Sequence, residues 1–448
     1  MTENRELLIA GSGIAGISAA IAARQNYPDI NISILSSDPF GFYNRIALNS
    51  FVTDKKKSSH HYFNKPSWLA DNRIKLINSR INDIDHKKKI VISDMGAHSY
   101  NRLIIATGAT PFIPPVTGIN LEGIHQLWTM NDAKNLKKSI QKSRSITVIG
   151  AGILGTEAAL DYAASGKKVT LIETRQDILA GMLLHDNALT AQQNLQNRNI
   201  KVLTGTKVLE IKRDSAGLKL ILSSKATLLT DSVLVSAGAV PNIALANKTG
   251  IKTERAIVTN VYMQSSVTDI MACGNCAQVE DESTLLWNPA MAQGITAGQN
   301  AFQIKKAYKK NIYPVHVKNK EMPLFSIGNP LLVTENDQII QLKKNDGVTS
   351  RTVVLNSDGI IKYAAFIKDT SNTYPIEKAV KNRLVITKEI IKNSSIDDII
   401  NFIKEHYNIK NSNDSGWVCQ MCGYTHEGSD APDICCVCGV GKDQFLVA

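Results

Sequence analysis

No stretch of the 448-residue sequence is apolar and long enough to cross a bilayer. The longest weakly polar run, Leu7 to Ala23, is broken by Gly11, Gly13 and Gly16 and has no basic segment before it, so neither a secretory signal nor a membrane anchor is expected. Low-complexity runs are absent too, and with 43% hydrophobic residues the chain can bury several cores, which predicts three or four compact units. Aromatics make up only 6% of the chain and are not interleaved with the scattered basic clusters Lys55–Lys57, Lys87–Lys89 and Lys309–Lys310. That arrangement suits a solvated basic surface and not nucleic-acid binding. The net charge of +11 is uneven: from Trp417 onward Lys442 faces Glu427, Asp430, Asp433 and Asp443, giving −3 and leaving +14 for the rest. Opposite fields of this kind orient the docking of tail on body.

Cysteine is sparse until the end, and five of the seven fall in the last thirty residues. Without a secretory signal, such crowding favours metal ligation in a reducing cytoplasm over disulfides.

What is present is a duplication. Leu7–Gly16 and Ile146–Gly155 each join a short apolar strand to an Ala-rich helix through G-x-G-x-x-G. The buried-strand runs Leu103–Gly108 and Val233–Gly238 follow them by about ninety residues. Two related doubly wound α/β domains are therefore predicted. In the first loop Gly11 permits the tight turn, Gly13 lets backbone approach a pyrophosphate, and Gly16 lets helix pack on strand, with Ile14 and Ala15 opening the helix at the phosphates. The carboxylate that would hold a ribose is missing directly after the strand Ile32–Leu35, where Ser36 and Ser37 precede Asp38, so backbone contacts or Asp38 must substitute. In the second loop Gly150, Gly152 and Gly155 are followed, about twenty residues on, by Glu173, a ribose-diol acceptor that favours NAD(H) over NADP(H), with Arg175 nearby keeping the second open.

From Pro314 to about Lys392 β-branched alternation takes over, with Thr352–Leu355 and Ile360–Ile367 joined by the turn Asn356-Ser357-Asp358-Gly359, which predicts a small α+β domain. Ser395 is the expected N-cap of a helix reaching Tyr407, and Asn408–Gly416 is polar and turn-rich. The last unit carries Cys419-x-x-Cys422, a spacer of twelve residues, and Cys435-x-x-Cys438, each pair closed by glycine. Four thiolates from two knuckles make a tetrahedral site that suits iron or zinc.

In order along the chain, the first glycine loop, Tyr43-Asn44-Arg45, Ala106-Thr107-Gly108-Ala109, the second loop with Glu157, Gly238-Ala239-Val240-Pro241-Asn242 and Thr268–Asn275 resemble the two-dinucleotide flavoproteins of the pyridine nucleotide-disulfide oxidoreductase superfamily. The resemblance spans roughly residues 5 to 390. It implies that an NAD-binding domain (116–244) is inserted in an FAD-binding domain (1–115 and 245–313), followed by the α+β domain (314–394), a helix and linker (395–416) and the tail (417–448). Arg45 would contact the FAD phosphate or adenosine side, Thr107 and Gly108 would lie against the flavin cofactor, and Glu157 would sit where nicotinamide approaches. Gly274-Asn275 stands where the superfamily usually has Gly-Asp, which gives up a charge toward the ribitol. Disulfide reductases and peroxidase-like members keep a redox cysteine soon after the first loop, yet none occurs between Gly16 and Gly108. Cys273 and Cys276, inside the FAD motif, read as packing residues.

Ala109–Val116, and Val315-His316-Val317-Lys318 leading to Met322-Pro323-Leu324, are similar to the rubredoxin-reductase branch, which makes Lys318 a candidate flavin contact. The tail, through Trp417-Val418-Cys419, Gly423–Gly428, Ala431-Pro432 and Gly439–Phe445, resembles a rubredoxin domain of the short-spacer, rubrerythrin type, which favours iron. Cys436 replaces a common proline, and spacing selects Cys435 as the ligand. The function implied is NADH-dependent reduction of FAD, then of the chain's own rubredoxin-type iron, then of a downstream acceptor protein. The nine-residue linker, with a reach of roughly 16 Å, would hold tail and body at millimolar effective concentration. Two other readings stay open: a zinc-capped flavoprotein reductase acting on a separate redox protein or small oxidant, and a nucleotide-sensing interaction protein. Oligomeric state is not encoded in any motif.

Overall fold

The computed structural model describes residues 5–54, 68–303, 305–317, 319–387, 390, 395–409, 417–419, 425–426, 430–433, 435, 441–442 and 445–447. The first strand, Glu6–Ala10, lies at the centre of a five-stranded parallel sheet in the order Ile270–Ala272, Arg102–Ile105, Glu6–Ala10, Asn31–Ser36, Ile74–Asn78. Parallel strands covered on both faces read as continuous apolar runs, and Leu7 to Ala10 are all buried. The edge strand Ile270–Ala272 comes from far downstream, so the chain leaves this sheet after Ile105 and returns to complete it.

Between departure and return the chain builds the second parallel sheet, ordered Lys201–Leu203, Lys168–Ile172, Ser145–Ile149, Ser232–Val235, Ile124–His125. The duplication extends beyond the glycine loops. Each unit carries a three-stranded antiparallel meander, Ile81–Asp85 with Ile90–Ser93 and Gly96–Ser99 in one, Val208–Asp214 with Gly217–Leu222 and Thr227–Thr230 in the other. The two crossing segments pair with each other as Ala109–Pro111 against Ala239–Pro241.

An antiparallel sheet follows, ordered Val315–Val317, Leu324–Gly328, Ile361–Ile367, Ser350–Leu355, Gln338–Lys343, with a hairpin at the expected Asn356–Gly359 turn. Its period-two alternation is resolved by packing on both faces. Tyr363, Ala365 and Ile367 join the core that contains Leu183 and Ala188 of the second unit. Ala364 and Phe366 face the helices Thr373–Asn382 and Ile396–His406.

Ser395 caps the latter helix as expected, in a capping box with Asp398. The helix packs on the antiparallel sheet. Ile396, Ile399, Ile400 and Ile403 form one apolar stripe buried in the core of the antiparallel sheet. The tail contributes a small sheet with Trp417–Cys419 between Thr425–His426 and Phe445–Val447. Among the described residues no helix is long and apolar enough to cross a membrane.

Candidate active site

Both glycine loops do the same steric work. Gly11 has φ +116°, and a Cβ there would run into the Ala106 carbonyl, while Gly150 has φ +105° and meets Ser236 in the same way. Gly16 and Gly155, one turn on, leave no room for a side chain above the Gly11 and Gly150 carbonyls. Gly13 and Gly152 face open space and precede the helices Ile14–Asn26 and Ile153–Ala164. Two helix N-termini thus present free N–H groups beside bare backbone, a geometry made for pyrophosphate.

These loops open into one continuous cavity of about 2480 Å³. Gly11, Gly13, Ile14, Ala15, Ser36 and Ser37 line its first arm. The Ser12 hydroxyl donates to Ser36 Oγ at 2.8 Å, so two serines meet where the carboxylate would have stood. Asp38 is already engaged: it accepts from the Tyr43 hydroxyl at 2.7 Å and from Arg45 at 3.2 Å. Arg45 also donates to the Trp128 carbonyl at 3.0 Å while lining the cavity. Burial raises the pKa of the Tyr43 phenol, so it stays a donor.

At the centre lie Thr107, Gly108, Gly238 and Asn275. Thr107 and Asn242 exchange two hydrogen bonds of 3.1 and 2.8 Å, which tie together the points where the chain crosses between the units. Gly274 sits behind this wall at φ +77°, where a Cβ would strike Ala15. Asn275 lines the cavity, and its amide oxygen, itself buried, has no hydrogen-bond partner among the described residues. A buried acceptor of this kind is costly unless a ligand donates to it, and a polyol such as ribitol supplies the donor.

Glu157 lines the same cavity from the second helix. One turn further, the buried Asp161 accepts from Asn319 Nδ2 at 2.8 Å. This pair fastens the segment after Val315–Val317 to the second unit, and no motif announced it. Glu173 stands at the end of Lys168–Ile172 and accepts from the Ala151 amide at 2.8 Å and the Arg175 amide at 2.9 Å. Its carboxylate is therefore held against the second glycine loop, where a ribose diol attached to the pyrophosphate would arrive. Lys318 lies outside the described residues.

Cys273 and Cys276 are fully buried, and the Cys276 thiol donates to the Cys273 carbonyl at 3.3 Å. Burial raises both thiol pKa values, which disfavours the reactive thiolate and suits the packing role. In the tail Cys419 and Cys435 are buried in one apolar cluster with Ala431 and Phe445. Cys422, Cys436 and Cys438 lie outside the described residues. Beside Cys419, Val418 lines the cavity that also holds the glycine loops, and Trp287 lines it from the body side. Val418 belongs to the Trp417-Val418-Cys419 segment and Trp287 to no motif, and only the folded chain brings the two to one cavity.

Residues 5–294 match the family model described as pyridine nucleotide-disulphide oxidoreductase, and residues 417–446 match rubrerythrin, rubredoxin-like domain. A nitric oxide reductase FlRd-NAD(+) reductase of Salmonella agona is 24% identical over 377 residues, covering 82% of this chain and all of its own. The NADH:rubredoxin oxidoreductase of Clostridium acetobutylicum superposes with a TM-score of 0.72 at 26% identity, covering 89% of this chain and 99% of its own. The ferredoxin reductase of the CYP199A2 system of Rhodopseudomonas palustris reaches 0.80 at 21% identity, covering 89% and 99%. With the family model matched over most of its length, the chain belongs to the pyridine nucleotide-disulphide oxidoreductase family.

Proposed function

We propose that this chain is an NADH-dependent flavoprotein reductase that delivers electrons through FAD to its own rubredoxin-type Fe(Cys)4 centre and on to a downstream redox protein of the cytoplasm. The observation that carries this reading is the single cavity lined at once by the first glycine loop, by Glu157 and by Val418, the neighbour of Cys419.

In this assignment Gly11, Gly13, Ile14 and Ala15 receive the FAD pyrophosphate, Gly16 sets the helix against its strand, and Ser36 and Ser37 replace a carboxylate at the ribose. Arg45 supplies charge at the phosphate or adenosine side, Thr107 and Gly108 form the wall against the ring, and Gly274 presents Asn275 to the ribitol. NADH enters from the second unit, where Gly150, Gly152, Gly155 and Gly238 admit the dinucleotide backbone and Glu173 holds the ribose diol. Glu157 orients the nicotinamide end, and Lys318 is assigned to the flavin. Cys419, Cys422, Cys435 and Cys438 ligate the metal, iron over zinc. Bound flavin supplies the change from hydride acceptance to single-electron release, which no side chain here can perform. The protein's share is to hold both dinucleotides in one space and keep the buried Cys273 and Cys276 out of the chemistry.

Anaerobic stopped-flow with NADH tests the assignment. The flavin band is expected to bleach first and the ferric-thiolate band second. Cys419→Ser should keep NADH oxidation with a dye acceptor within about two-fold while losing at least about ten-fold in reduction of a one-electron protein acceptor. A colourless tail, or an iron band that NADH never bleaches, would overturn it.

A further inference from the structure

The tail is not separated from the body by solvent. Cys419, Ala431, Cys435 and Phe445 fall in the same apolar cluster as Ala15, Ala290 and Met291 of the body, and Trp417 and Trp287 both pack against that cluster. Val418, Leu285, Leu286 and Trp287 all line the same cavity.

We propose that the tail occupies a seat on its own chain, made by Leu285–Trp287 at the start of the helix Trp287–Gln299, with Trp287 as its positioning residue and Trp417–Val418 as the tail's contacting segment. This rests on the reading of the tail as the electron exit. Aromatic anchors ringed by aliphatic groups are where docking energy concentrates. A charge difference of −3 on the tail against +14 on the rest orients the approach, while the contact itself is apolar. Seating makes the step to the tail unimolecular. Cys419 and Cys435, with Cys422 and Cys438, would hold an iron that takes one electron at a time, so the two electrons of a reduced flavin would leave singly, the second after a one-electron acceptor has reoxidised the iron, with the proton released to solvent.

The full-length holoprotein provides the test, with Val418→Asp to place a charge in the seat. Two readouts do not depend on turnover: hydrogen exchange at residues 285–288 and the radius of gyration from small-angle scattering. Val418→Asp should raise exchange at 285–288 at least about ten-fold and expand the particle, with iron content unchanged. In the wild type the flavin-to-iron step should be first order and independent of protein concentration. In the variant the ratio of that step to flavin reduction should fall about ten-fold. If Val418→Asp loses its iron, Trp287→Ala replaces it, with Trp287→Phe expected to restore the seat. Unchanged exchange and radius in an iron-loaded variant, or a wild-type step that scales with concentration, would overturn the seat. Failure of NADH to reduce the iron at all would instead overturn the proposed function, and the scattering and exchange readouts would still decide the seat.

Discussion

At the scale of single residues, Asn275 carries the most information. It lines the cavity, and its buried amide oxygen has no hydrogen-bond partner among the described residues. If the ribitol of FAD supplies the missing donor, Asn275→Ala should weaken FAD about ten-fold, because one hydrogen bond of about 1.4 kcal/mol is lost. Asn275→Asp should tighten it by a similar factor, since a charged acceptor roughly doubles the bond, while making the FAD-free protein less stable through an uncompensated buried charge. Flavin fluorescence on dilution gives the first quantity and thermal melting of the apoprotein the second. Opposite ordering of the two variants would remove Asn275 from the flavin site. The Gly274-Asn275 departure was legible because a motif surrounds it. The engagement of Asp38 by Tyr43 and Arg45 was not, because the sequence places three chemically plausible groups within eight residues and only the fold decides which of them face one another. Asp161 and Asn319 were hidden for a related reason: their hydrogen bond joins positions 158 apart.

At the scale of elements, helix packing sets the shape of the first loop. The helix Trp287–Gln299 lies against Ile14–Asn26 with Gly294 over the Ala15 carbonyl and Gly298 over the Ala19 carbonyl, and neither position leaves space for a methyl group. Gly294→Ala should force the helices apart at a cost of about 1–3 kcal/mol. Because Ala15 is in the first turn beside Gly13, the displacement reaches the pyrophosphate cradle, so FAD affinity should fall as well as the melting temperature. Gly298→Ala acts one turn further from the cradle and should lower the melting temperature while sparing more of the FAD affinity. Equal FAD loss in both variants would mean that the cradle does not depend on local helix spacing. These glycines sit outside the two dinucleotide loops, so their spacing in sequence carried no expectation. The helix Ile396–His406 shows the complementary case: its cap at Ser395 and its isoleucine spacing were plain, whereas its membership in the antiparallel-sheet core depended on a partner face that no local pattern specifies.

At the scale of the whole molecule, the duplication and the interleaved connection were readable because each sheet is seeded by its own glycine loop, and the strand Ile270–Ala272 carries a motif that belongs with the first. The relation of tail to body was readable only as charge. The −3 tail against a +14 remainder suggested an electrostatic encounter, whereas the described contact is an apolar cluster against which Trp287 and Trp417 both pack. These two pictures separate with ionic strength. Charges meeting across solvent are screened once the Debye length contracts below about 10 Å, which happens above roughly 0.1 M salt. An apolar contact is indifferent to that change. For a tail seated on Leu285–Trp287, the flavin-to-iron step should vary by less than about two-fold between 0.05 and 0.5 M sodium chloride. Delivery to a charged protein acceptor remains a diffusional encounter and should slow steeply over the same range. Measuring both steps on one holoprotein sample makes each the control for the other. If they fall together, the tail reaches the flavin by electrostatic visits and the seat has no kinetic role; if only the second falls, the salt-sensitive step is confined to the exit toward the acceptor.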